Sequence, residues 1–310
     1  MPRPPSLTAA DSAAVTQAIK HARLIDASRA MARIVKHTDP TPAEKRKRER
    51  LESSLVEWMK YHGGDAFDRK FSDDHKRIIA KIEKAIRVGG LFALAMPRGS
   101  GKTTILKWAM LYCLLTGLRK YVIVIGATSD LAQDLVEFAR RQIQDSDTLH
   151  KHYPHVCEYA RKTQGKQIKA SFQLRADGKK SGIKWSKNTL IFPDVNTEGQ
   201  KIFDKRNRDT GRKVDAASAE PYTSNGAILE GHGLTGAIRG KWKDTRTGKV
   251  IRPDFVLIDD PQTRESAESD SQCAGRERII TGDVLGLAGP RRRIAAVMPC
   301  TVIRKHDLAH

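Results

Sequence analysis

Cysteine is scarce in this chain. Four residues, Cys113, Cys157, Cys273 and Cys300, are scattered through 310 positions with no C-x-x-C pair and no histidine at ligand spacing. That argues against a zinc site and against a disulfide framework, and leaves buried, reduced thiols as the expectation. Long apolar runs are lacking too: none approaches the ~20 residues of a membrane span. The opening residues, MPRPPSLTAADSAAV, have no apolar core of a secretory signal, so an intracellular protein is expected. There is no internal repeat. What the chain has in excess is positive charge: 56 Lys and Arg against 36 Asp and Glu, a net +20. With 39% hydrophobic and 30% charged residues, the composition is that of a soluble globular protein of one large or two smaller domains. The excess favours a polyanionic partner, nucleic acid foremost.

The first seventy residues read as a helical N-terminal region. AADSAAVTQAIKHARLIDASRAMARIVKH has few breakers and helical apolar spacing. TPAEKRKRERLESSLVEWMKYHGG then offers a helix start, with Thr41 as cap, Pro42 in the first turn and Glu44 closing a capping box, and Gly63 and Gly64 as its end. From residue 71 to 310 the pattern becomes α/β. DDHKRIIAKIEKAIRVGG predicts a helix, LFALAM a strand, TTILKWAMLYCLLTG a helix stopped at Gly117, and KYVIVIGATSDLAQDLVEFARRQIQ a strand, turn and helix. Strands alternating with helices predict a mainly parallel central sheet flanked by helices. Residues 160–220 break the pattern. They are rich in Lys and Arg, with short alternating stretches suited to hairpins and a polar loop, and read as a basic insertion decorating the sheet. RPDFVLIDDPQT and RRRIAAVMPCTVIRKHDLAH supply two further strands.

The chemistry gathers in two stretches. In LFALAMPRGSGKTT an apolar run ends in a glycine-rich turn before a helix. Backbone N–H groups of Pro97-Arg98-Gly99-Ser100-Gly101-Lys102-Thr103-Thr104, less that of proline, are candidates to cradle phosphates at a helix start. Lys102 would reach the outer phosphates and Thr103 would hold Mg²⁺. One glycine is missing: in G-x-x-x-x-G-K-[ST] the first position here is Met96. The second stretch, FVLIDD, is a buried strand that delivers Asp259 and Asp260 at its C-terminal end, where open α/β sheets bind ligands. Asp259 is the candidate Mg²⁺ ligand and Asp260 the candidate general base for an attacking water. The two stretches together predict hydrolysis of ATP or GTP. The long stretch between Thr104 and Asp259 leaves room for an intervening strand–helix unit, which suits a motor-type ATPase rather than a small-molecule kinase.

Five segments, AMPRGSGKTT, GATSDLAQDL, GLTGAIRG, RPDFVLIDDPQT and AAVMPCTVIRKHDLA, in that order, resemble the large terminase subunit of tailed bacteriophages. The resemblance runs from Phe71 to Ala309. It implies a P-loop ATPase that uses ATP and Mg²⁺ to drive double-stranded DNA into a procapsid. It further implies a homo-oligomeric ring on the portal protein, with a small terminase subunit as partner, in the cytoplasm of an infected bacterial host. By the same resemblance Lys102 and Thr103 take the phosphate and Mg²⁺ positions, Asp259 the metal, and Arg98 the γ-phosphate; a structural ion pair is the other role open to Arg98. Asp260 stands where the family commonly has Glu, and Glu265 and Glu268 lie beyond it as the other carboxylates, otherwise helix-start charges. Thr301 falls on the family's coupling motif, with Cys300 replacing the usual glycine. Arg239 is either a finger reaching a neighbouring subunit's nucleotide or a loop arginine on a carbonyl or DNA phosphate. His232, between two glycines, reads as a loop residue. The family's nuclease domain has no counterpart in these residues, so no nuclease activity is expected of them.

Two other readings stand beside the packaging motor. A helicase-like translocase shares both motifs but calls for a second motor domain. A nucleotide-regulated DNA-binding or assembly protein with little turnover is compatible with the shorter Asp260. A packaging motor grips the DNA backbone without regard to sequence, so Lys179, Lys180, Lys184 and Lys187 of the insertion are expected to contribute to that grip or to subunit contacts.

Overall fold

Runs of apolar residues too short for a helix and without polar alternation form strands that must be covered on both faces. Tyr121–Gly126 is one such run and is buried at every position; Phe255–Asp259 is buried up to its terminal carboxylate. In a computed structural model of the chain, the described residues are 17, 33–195, 201–203, 209–213, 222–236, 238–244, 250–289 and 294–309. They fold into a mixed α/β structure around one seven-stranded sheet. Its strands are β1 (Leu91–Ala95), β2 (Tyr121–Gly126), β3 (Lys184–Trp185), β4 (Thr189–Ile191), β7 (Ile228–Gly233), β10 (Phe255–Asp259) and β11 (Ala295–Cys300), in spatial order β1-β11-β10-β2-β7-β4-β3. The first five in that order run parallel, and β4 and β3 are antiparallel additions. Two small hairpins complete the strands: β5 (Lys201–Phe203) with β6 (Asp209–Lys213), and β8 (Lys243–Asp244) with β9 (Val250–Ile251).

Strand alternation divides the core into two layers. Val122 and Val124 of β2, Phe255 and Leu257 of β10 and Val297 of β11 face the larger cluster. Tyr121, Ile123, Ile125, Val256 and Ile258 face a smaller one closed by Leu234, Ile238, Val284 and Leu287. The larger layer holds helices α1 (Pro42–Glu52), α2 (Leu55–Gly63), α3 (Asp73–Arg87), α4 (Lys102–Leu115), α5 (Ser129–Asp145), α6 (Asp147–His152) and α7 (Pro154–Thr163), with a short α8 (Gln167–Ser171) after them. Helices α9 (Arg264–Ala267) and α10 (Asp270–Arg278) follow β10. From Ile105 to Leu115 α4 is buried almost all round, as a helix at the centre of a layer must be. Trp58 of α2 packs edge-on against Trp108 of α4, so the helices before residue 70 share this core.

Three expectations need amending. The single helix expected from Thr41 to Gly63 is two. The Thr41–Glu44 capping box forms as expected, but Ser53 turns its hydroxyl back onto the Arg50 carbonyl, Ser54 caps a new helix, and the Leu55 N–H goes to Glu83. Serine competes for backbone groups in this way and so ends helices as readily as it starts them. The basic insertion does not merely decorate the sheet: β4 pairs with β7 and extends it, although much of the polar loop lies outside the described residues. His232 is in strand β7, opposite Ile125, and not in a loop. Its flanking glycines serve close approach to α5: a Cβ on Gly231 would lie 2.9 Å from the Ala132 carbonyl oxygen, and one on Gly233 would lie 2.7 Å from the Ser129 nitrogen. The helix expected between Ala9 and His37 lies almost wholly outside the described residues. Among the described residues no helix is long and apolar enough to cross a membrane. All four cysteines are buried and free.

Candidate functional site

Three loops meet at the C-terminal ends of the parallel strands, and the sheet order decides which. β11 lies between β1 and β10, with Ala95 in register with Cys300. The strand of the glycine-rich loop and the strand of the carboxylates are therefore not neighbours, and Thr301 falls between their ends. Met96, where the sequence pattern calls for glycine, is still in the ladder: its N–H donates to Cys300 O at 2.9 Å and its side chain is buried. The turn begins only at Pro97.

Within that turn Gly99 (φ 76°) and Gly101 (φ 75°) are left-handed, and a Cβ on either would meet nothing within 4 Å. Backbone conformation, not crowding, demands glycine here, and the space above the loop is open. Helix α4 starts from Gly101 with no side-chain cap and no acidic residue in its first turn. By contrast α1, α2, α3, α5, α6, α9 and α10 each receive a Ser or Thr cap. The first N–H groups of α4 and its partial positive charge are thus left facing the loop. Thr104 is half-buried on that turn, and Arg98 is exposed with no polar partner among the described residues.

The side chains converge below. Lys102, 8% exposed, donates from Nζ to Thr301 Oγ1 at 2.6 Å and pairs with Asp260 Oδ2 at 2.9 Å. The Thr301 hydroxyl donates to Asp260 Oδ1 at 3.2 Å. The Thr103 hydroxyl donates to Asp259 Oδ1 at 3.1 Å. Asp260 has φ 40°, a sparsely populated region for a residue with a Cβ, and its N–H is tied to Pro299 O at 3.2 Å. Burial raises the pKa of Asp259, with Asp260 beside it acting the same way; the Thr103 hydroxyl and Lys102 oppose the shift without cancelling it. A hydroxyl and a carboxylate beside a second carboxylate are oxygen donors of the kind that Mg²⁺ takes together with water and substrate phosphates. Among the described residues no group of three or more His, Cys, Asp or Glu gathers to hold a metal alone. The donor set thus fits a metal shared with a phosphate.

Other sequence candidates stand apart from this cluster. Arg239 is 82% exposed, with Nε 2.6 Å from Asp283 Oδ1. Glu265 and Glu268 are exposed on and beside α9, where Glu265 lies in the first helical turn. His75 joins the site from outside the sequence candidates. Its Nε2–H donates to the Ser100 carbonyl at 2.8 Å while Nδ1 accepts from the Ser72 hydroxyl at 2.7 Å, so this side chain ties the loop to the start of α3. The Ser72-x-x-His75 spacing was the available signal, a capping box with an unusual third-position residue. A cavity of about 450 Å³ opens between α3 and the loop, lined by His75, Arg77, Lys81, Met96 and Pro97. No family model and no curated protein matches the sequence.

Proposed function

We propose that the chain is a P-loop ATPase and that it serves as the motor domain of a large terminase subunit, hydrolysing ATP to move double-stranded DNA. One observation carries the nucleotide reading: the uncapped α4 start brings Lys102 onto Asp260 and Thr301, and Thr103 onto Asp259. Lysine, hydroxyl and paired carboxylates at a left-handed glycine turn are what binding and hydrolysing a polyphosphate require. A bound Mg²⁺, held by Thr103 and Asp259, would offset phosphate charge and polarise the terminal phosphoryl group. The loop amides and Lys102 bind the phosphates, and Lys102 leaves Asp260 as it does so. Asp260, released, accepts the proton of the attacking water. Arg98, exposed on the loop, adds charge toward the outer phosphate.

The motor reading draws on the net +20 charge and on β11 lying between the two motif-bearing strands. The packaging role, portal and small-subunit partners and ring belong to the family resemblance. Steady-state ATP hydrolysis by the chain, by Lys102→Ala and by Asp260→Asn, with and without linear double-stranded DNA, tests it. Turnover lost in both variants supports the assignment. Turnover that survives Asp260→Asn moves the base to Glu265 or Glu268, and a parent chain that binds ATP without turnover favours the nucleotide-regulated binder.

A further inference from the structure

The Asp260–Thr263 loop after β10 and the Thr301–Ala309 segment after β11 are joined by one buried amide. Gln262, 6% exposed, donates from Nε2 to the Thr301 carbonyl at 3.1 Å and to Asp307 Oδ2 at 2.9 Å. Its Oε1 accepts from the Leu308 N–H at 3.0 Å. This set fixes the amide orientation, because a flip would oppose oxygen to carbonyl and carboxylate and NH₂ to N–H. Asp307, also 6% exposed, gathers the segment in turn: Oδ2 accepts from the N–H groups of Ile303 (2.6 Å) and Arg304 (3.1 Å), and Oδ1 from that of Ala309 (2.9 Å). Burial alone would raise the Asp307 pKa, but the backbone N–H donors outweigh it and hold the carboxyl below its ordinary value, so it is an anion here. Arg304 carries the connection outward, donating to the Ala267 carbonyl and pairing with Asp270.

The residue gripped by its backbone, Thr301, is the one gripped by its side chain at Lys102 and Asp260. We propose that Gln262 and Asp307 form a positioning clamp that holds Thr301 in place against Lys102 and Asp260 and transmits a change at the glycine-rich loop to residues 302–309. The transmission arm rests on the nucleotide reading above; the clamp itself does not. A buried amide with three partners has one low-energy arrangement, so a shift of Thr301 cannot leave Asp307 and Leu308 where they are.

Hydrogen exchange of the 302–309 amides in the full chain tests the clamp without nucleotide. Lys102→Ala is expected to speed their exchange about fivefold to tenfold, the loss of about one hydrogen bond. In a Gln262→Leu background Lys102→Ala is expected to add nothing. Equal effects in both backgrounds, or no effect in the parent, would overturn the clamp. Gln262→Glu is the second variant, should the leucine unfold the chain: it keeps the acceptor for Leu308 but sets a carboxylate against Asp307, and is expected to abolish the coupling equally. ATP with Mg²⁺ then forms a separate arm. Altered exchange at 302–309 in the parent and none in Gln262→Leu supports transmission; altered exchange in both overturns it. If ATP does not bind, the nucleotide reading falls, while the Lys102–Gln262 cycle still decides the clamp.

Discussion

The ammonium of Lys102 lies 2.9 Å from the Asp260 carboxylate, and both contact the Thr301 hydroxyl. The side chain assigned to bind phosphate and the side chain assigned to activate water therefore hold each other. On the proposed function, phosphate oxygens would compete for the lysine through charge-assisted hydrogen bonds, so nucleotide entry and release of Asp260 would be the same event.

That competition makes opposite predictions for the two partners. Lys102→Ala should weaken ATP binding by about tenfold to a hundredfold, the cost of a charge-assisted hydrogen bond. Asp260→Asn should tighten it by up to about tenfold, because Lys102 loses its competing carboxylate, while turnover falls by about a hundredfold or more. Titration with a fluorescent ATP analogue separates the two effects from catalysis. Equal weakening by both changes would dismiss the competition.

Two glycines should fail for different reasons. Gly101→Ala forces a Cβ onto a residue with φ 75° in open space, costing about 1 kcal/mol of stability and lowering nucleotide affinity. Gly231→Ala puts a Cβ 2.9 Å from both Ala132 O and Val136 Cγ2 of α5. It should cost about 2 kcal/mol or more and leave the affinity of the folded chain alone. Urea unfolding beside nucleotide titration ranks them.

Acid should unfold the chain through a histidine pair. His62 and His152 are buried with ring nitrogens 3.3 Å apart. Burial, with His152 and Lys47 nearby, pushes His62 down to about 3; burial, with Arg48 and Lys47, pushes His152 down to about 4. Both folded pKa values lie below the unfolded one, so the unfolded chain binds protons first as pH falls. Stability is full only well above about pH 6.5 and drains as pH falls, down through about 4 for His152 and about 3 for His62, by about 2 kcal/mol per histidine at pH 5. Thermal unfolding from neutral to acid pH should show the loss, and His152→Gln should reduce its slope. An unchanged slope would remove the pair as its source.

At the opposite edge of the sheet from β1, Lys179, Lys180 and Lys187 are exposed and Lys184 begins β3 half-buried. Glutamate at all four should weaken DNA binding without sequence preference and flatten its salt dependence by up to about one unit of slope per lost phosphate contact. A salt titration that does not change removes these lysines from the DNA surface.

Sequence by itself determined the local pieces. Apolar runs gave β1, β2, β10 and β11, and Thr41 with Glu44 formed the expected capping box. Gly99 and Gly101 lie in the turn that the glycine-rich stretch marks, although their left-handed conformation is seen only in the structure. These outcomes rest on propensity and on hydrogen bonds spanning a few residues, and such terms are written in neighbouring letters. Even locally some signals were ambiguous: Ser53 and Ser54 split a helix, and the glycines around His232 marked contact with α5 rather than a turn. Only the tertiary structure decided that β11 enters between β1 and β10. That order depends on which faces can be buried together, and it sets Thr301 between Lys102 and Asp260, joins Gln262 to Asp307 and leaves Arg239 with Asp283. Partners so distant along the chain are chosen by packing of the whole sheet, and no single stretch of sequence carries that information.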